Sequence, residues 1–357
     1  MTKQRSKKKC SRKPETKLER LRRRLQEDPR LHRLCEFHDL QQGLSAATAI
    51  ARKYRRLKKA NCTWDIKAVS FSQVKQSDLE RLGLHMPRDT IEIPPNIPSC
   101  LRVNEKLSIK SFGVVFLKSE EGKNMKKRLR ALHQFCSDSP ESAARIVVDQ
   151  LLLAMIGLLP ELNIELFLFP ELRIVSAKDQ LVVYHGSFST LVTGLEDYAI
   201  MKYDAPSNPN FRASAKAVHG LSDLMDTRIW LNHSGFLPVE VKPMKRLPAH
   251  LIHSVPQVIT QALAIMIRTR TKCVQWCLTN GLCWVFGVLY STHYHEENQY
   301  GSRNDSYVVM LNPVELDIGS KERVTETLEQ LIPLLLSWIL CTPEQLLETF
   351  FNIPHTT

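Results

Sequence analysis

The sequence predicts an α/β (α+β) body preceded by a basic arm, on three observations. Short β-branched apolar runs separated by turn residues fall at 166–169, 172–175, 181–184, 191–202, 236–242 and 273–289, the signature of strands. Apolar residues recur at helical spacing over 139–159, 249–268 and 324–351. The net charge of +12 is confined to one end: residues 1–60 hold 20 Lys/Arg and 6 Asp/Glu, leaving 29 basic against 31 acidic residues elsewhere. The chain divides accordingly into an arm at 1–60, a connector at 61–135 and a domain at 136–357.

Residues 1–13 are almost entirely Lys, Arg, Ser and Gln, with too little apolar surface to offset the entropy of ordering. Leu18, Leu21 and Leu25 form a brief helical stripe that Pro29 interrupts. A second stripe carries Leu31, Leu34, Phe37, Leu40 and Leu44 toward Lys58 and Lys59. The arm therefore reads as partly disordered and partly helical. Its cations serve solubility or bind phosphates, and the strong asymmetry favours phosphates. The candidates are Lys7, Lys8, Lys9, Arg22, Arg23, Arg24, Arg55 and Arg56, each adding salt-sensitive affinity through counterion release. No base-reading motif accompanies them, so no sequence specificity follows. Lys7-Lys-Lys-Cys-Ser-Arg-Lys13 reads as a nuclear import signal.

In the connector, 78–84 reads as a short helix, Pro94, Pro95 and Pro98 exclude regular structure, 107–117 reads as a strand and 123–135 as a basic helix. The domain opens on a helix with Ser139 as N-cap, Pro140 at the first position and Glu141 in the first turn, running to Leu159. A meander of short strands follows, then a loop over 204–215 with Asp223 and Asp226 as solvated acids beyond it. The 249–268 helix turns Ile252, Val255, Ile259, Leu263 and Ile267 toward the sheet, and Arg268, Arg270 and Lys272 favour its negative end. A hairpin turns at Thr279-Asn-Gly281, and closing helices carry Leu328, Leu331, Leu335, Ile339 and Leu346.

Alternation along Phe236–Lys242 puts Glu240 and Lys242 on one face and Val239 and Val241 on the other. Asp197 interrupts the strand at 191–202 in a similar way. Two carboxylates from adjacent strands suit one hard divalent cation, and a lysine on the same face can orient water or stabilise charge on a phosphate. The ordered set of Asp197, Glu240-Val241-Lys242, a Gln-bearing helix and the Leu278-Thr279-Asn-Gly281 turn with Trp284 and Phe286 resembles the PD-(D/E)XK nuclease-like superfamily. This is the restriction-endonuclease-like fold, and the resemblance is to its fungal-type nuclease-like domains, over about residues 136–350. The 42 residues between Asp197 and Glu240 exceed that family's usual spacing.

The resemblance implies a central mixed sheet flanked by helices and metal-dependent hydrolysis of phosphodiester bonds in nucleic acid, DNA ahead of RNA. Asp197, Glu240 and the Val241 carbonyl would bind Mg²⁺, with Mn²⁺ as the alternative. Lys242 would position or deprotonate the attacking water, and Gln257, with Gln261 the second choice, would orient it. Glu141 or Asp149 would add an acid from the preceding helix; Asp149, amid Val and Leu, otherwise belongs on a wet face. The alternative is a nuclease-fold protein without turnover that binds nucleic acid or protein, because a fold does not certify chemistry. A third reading is an interaction protein whose basic helices bind an acidic partner or RNA.

Nine scattered cysteines, several in apolar runs, suit a reducing compartment better than a disulfide framework. Cys277 and Cys283 read as core thiols, and His293-Tyr-His295-Glu-Glu297 as a loop rather than a metal site. The N-terminus lacks the apolar segment of a secretory signal. The stretches 146–159 and 331–341 are too short to span a bilayer. The expectation is an intracellular, nuclear protein that no membrane holds.

Overall fold

Strand β7 (Phe188–Tyr203) is the frame on which the sheet is built, because four other strands pair with it. The computed structural model describes residues 65–94, 101–104, 107–135, 141–159, 164–176, 180–186, 188–203, 215–225, 233–244, 248–292 and 305–354. They belong to one unit spanning Thr63–Thr357. The arm and the His293–Glu297 segment lie outside the described residues.

The first described strand, β1 (Asp65–Ser70), runs parallel to β7. Antiparallel to β7 lie β5 (Glu165–Val175), β6 (Leu181–His185) and β8 (His233–Val241). Next to β8, in parallel, comes β9 (Cys273–Thr279), then antiparallel β10 (Cys283–Ser291) and β11 (Ser306–Met310). The short strand β2 (Leu84–His85) closes the far edge. The sheet is mixed, as expected, and helices cover both faces.

Side-chain alternation divides the interior into two cores. On one face Tyr198, Ile200, Val239, Val241, Cys277 and Phe286 meet α1 (Ile109–Lys118), α2 (Glu120–Phe135), α3 (Glu141–Leu158), α7 (Lys321–Leu340) and α8 (Pro343–Phe351). On the other, Ala199, Met201, Phe236, Trp276, Leu278 and Val285 meet α4 (Leu221–Met225) and α6 (Val255–Thr269). Cys277 and Cys283 are buried free thiols on opposite faces.

Several expectations need correction. The stretch 61–135, whose role the sequence leaves open, packs into the body: β1 is a strand of the sheet, Phe71, Leu79 and Leu82 fill one core, and α1 and α2 line the other. The strand expected at 107–117 exists only as β4 (Leu107–Ser108), antiparallel to β3 (Arg102–Asn104). Ser108 then caps α1, its hydroxyl accepting from the Ser111 amide, and Ile109, Phe112 and Phe116 bury at helical spacing. The runs at 166–169 and 172–175 are one strand, β5, with Glu171 held at φ 53 between them. In place of the helix expected over 78–84 stand two 3-10 turns, Gln76–Asp78 and Glu80–Leu82, the second ending at Gly83, φ 67, before Leu84 enters β2.

The helix expected over 249–268 is two, α5 (Pro248–Ile252) and α6. Pro256 lacks an amide hydrogen and its ring opposes the carbonyl four residues back, at Ile252, where α5 ends. By length and composition, His250–Thr269 is apolar enough to cross a membrane, but 78% of that window is buried inside the protein against the sheet. The hairpin turn lies where expected: the Asn280 side-chain oxygen accepts from the Leu282 and Cys283 amides, and Gly281 takes φ 84.

Candidate active site at the end of β8

β8 and β7 are paired from Tyr198 opposite Val239 back to Tyr203 opposite His233, and the pairing stops one step before Asp197 and Glu240. On its other edge β8 continues along β9, the Lys242 amide donating to the Thr279 carbonyl at 2.8 Å. The strands thus part where the charged residues begin. Asp197 enters this gap, one carboxylate oxygen accepting the Val241 amide at 2.7 Å. A strand residue's N–H and C=O point to the same edge, so the Val241 carbonyl also faces Asp197.

Glu240 is buried beneath α6. Its Oε1 accepts from Lys242 Nζ at 2.5 Å and from the Gln257 amide, and its Oε2 accepts from Gln261 Nε2 at 2.8 Å. Lys242 Nζ also donates to Gln257 Oε1 at 2.7 Å, closing a three-membered network. Gln261 lies one helical turn beyond Gln257, so both face the same carboxylate. Gln261 further donates to the Leu195 carbonyl at 3.0 Å.

Arg145, from α3, reaches the other acid. Its guanidinium bonds to Asp197 Oδ1, and to Glu141 and Glu171 at 3.2 Å each. Asp149 is elsewhere engaged, accepting the Tyr198 hydroxyl at 2.8 Å. Of the two candidate extra acids, Glu141 therefore touches the site only through Arg145, and Asp149 supports a core tyrosine.

Burial pushes the Glu240 carboxyl up to about 7, with the Asp197 charge adding and the Lys242 contact opposing. Asp197 is also raised by burial, against the pull of the Val241 amide and Arg145. The sequence reading missed a third acid, Glu196. It is fully buried, neither carboxylate oxygen has a hydrogen-bond partner among the described residues, and burial with the Glu240 and Asp197 charges drives it well above the usual range.

The donor set suits a hard cation: two carboxylates and a carbonyl, all oxygen, with an unpartnered buried carboxylate beside them. Among the described residues no three His, Cys, Asp or Glu side chains converge as a ready-made metal shell. An ion of the Mg²⁺ kind would retain waters here, as such ions do. Beside Lys242 a cleft of about 250 Å³ opens between His250, His253, Ser254 and Asn280, with no acidic residue among the described residues that line it. No family model and no curated protein matches this chain.

Proposed function

We propose that this chain hydrolyses phosphodiester bonds in nucleic acid at a PD-(D/E)XK-type site that uses a divalent metal ion, Mg²⁺ or Mn²⁺. One observation carries the reading: Glu240, Lys242 and Gln257 form a closed hydrogen-bonded network, and Asp197 binds the amide between the first two. Asp197, Glu240 and the Val241 carbonyl would hold the ion. Bound there, it would supply positive charge to phosphate oxygens and polarise a water.

The chain's own residues account for the rest. Lys242 Nζ, side chain 21% exposed, can aim a proton at a phosphate oxygen or hold a water by its lone pair. Gln257 fixes that ammonium through its Oε1 and so sets its direction. The cleft beside Lys242, with no acid among its described lining residues, admits a phosphate without like-charge repulsion from those walls. The arm at 1–60 would supply sequence-independent affinity for the backbone, and DNA in the nucleus is the expected substrate.

The second reading, a module of this fold without turnover, is favoured by one contact: Arg145 neutralises Asp197 and occupies one of its oxygens. Cleavage of plasmid and single-stranded DNA with added Mg²⁺ separates the two. Glu240→Ala and Lys242→Ala are each expected to lower the rate by about 10²–10⁴-fold. Equal cleavage by all three proteins would place the activity elsewhere, and none from the wild type would leave the binding module.

A further inference from the structure

We propose that Arg145 is the resident counter-cation of the acid cluster, a positioning residue that a divalent ion must displace from Asp197 in order to bind. The inference rests on the metal-dependent reading above and concerns what the site does before the ion arrives. Pro170 pairs with Tyr198 and Leu172 with Glu196, so Glu171 and Asp197 stand opposite each other across β5 and β7. Like charges placed directly opposite across a strand pair repel. Glu171 is out of the ladder at φ 53, a left-handed conformation that a non-glycine residue adopts only under constraint. Its carboxylate nevertheless reaches Arg145, as does that of Glu141 one turn back on α3.

One guanidinium, with five donors, thus gathers three carboxylates from three elements. Both Asp197 oxygens are engaged, one by Arg145 and one by the Val241 amide. A positive charge on a ligand oxygen opposes a second cation there. Arg145 can leave Asp197 without becoming an unpaired charge, because Glu141 and Glu171 remain its partners and its side chain is 29% exposed. The same arrangement keeps the acids compensated while the ion is absent.

The test titrates Mg²⁺ and Mn²⁺ into metal-free full-length protein and reads the thermal midpoint for wild type, Arg145→Met and Glu171→Gln. Arg145→Met is expected to melt lower without metal, to be rescued by the ion, and to bind it about tenfold more tightly. Glu171→Gln removes one refuge for the guanidinium and is expected to weaken the ion by about twofold. Wild-type binding with no tightening in Arg145→Met overturns the proposal alone. No metal-dependent shift in any of the three proteins overturns it together with the metal-dependent reading. Should Arg145→Met not fold, Glu171→Gln decides: unchanged or tighter binding overturns the proposal.

Discussion

Glu240 and Asp197 project from neighbouring strands, yet opposite layers of helix hold them. From one face α6 gives Glu240 two glutamine amides, and Lys242 adds its ammonium. From the other, α3 gives Asp197 a guanidinium, and the backbone of β8 adds an amide. The first acid is almost wholly buried among mainly neutral donors and rises to about 7. The second is also raised by burial, against a guanidinium and a single backbone amide. Two carboxylates at one site are thereby given unequal environments, the usual way a protein separates the roles of paired acids.

The largest effect that would break this comparison is a pH dependence carried by Glu240. A carboxyl raised in the folded state contributes stability that is complete below its unfolded value of 4.5 and is lost as pH rises through about 7. Metal-free wild type should therefore lose stability relative to Glu240→Gln across that window, by on the order of 3 kcal/mol in denaturant titrations. A difference that stays flat with pH would mean that burial does not raise the Glu240 carboxyl in the folded protein. A smaller effect belongs to Gln261. Gln261→Leu strips the donor from Glu240 Oε2 and from the Leu195 carbonyl, and should cost about 1–3 kcal/mol. Gln257→Leu, at a half-buried position, should cost less; the reverse order would move the structural support to Gln257. The smallest is Asp149→Asn. It keeps an acceptor for Tyr198, so stability should change by less than about 1 kcal/mol, with metal affinity unchanged. A fall in metal affinity would make Asp149 part of the site.

The Glu240 half was readable because its signals are local. Period-two alternation puts Glu240 and Lys242 on one face, and helical period puts Gln257 and Gln261 on another, within 21 residues of each other. Both glutamines lie on one helical face, and both bond Glu240. Of the Asp197 half the sequence shows the acid but not its partner: Arg145 lies 52 residues away, and its i,i+4 neighbour Glu141, one of two candidate extra acids, binds the guanidinium instead. Glu196 was missed because alternation turns it away from Asp197, toward a core where a carboxylate is not expected. In the fold, the run of Ile, Phe and Val in α1 has strand composition, and its packing on α7, some two hundred residues later, overrides that preference.

By itself, then, the sequence determined the strand regions between 166 and 289, the helices over 141–158 and 321–351, the 279–281 turn and the Glu-x-Lys face, because each follows from spacing within a single element. Only the tertiary structure decided that β7 and β8 part beside Asp197, that α3 delivers a guanidinium into the gap, and that Glu196 lies unpartnered next to it. These depend on which distant elements share a layer, and that is fixed by burying two apolar faces of one sheet at once.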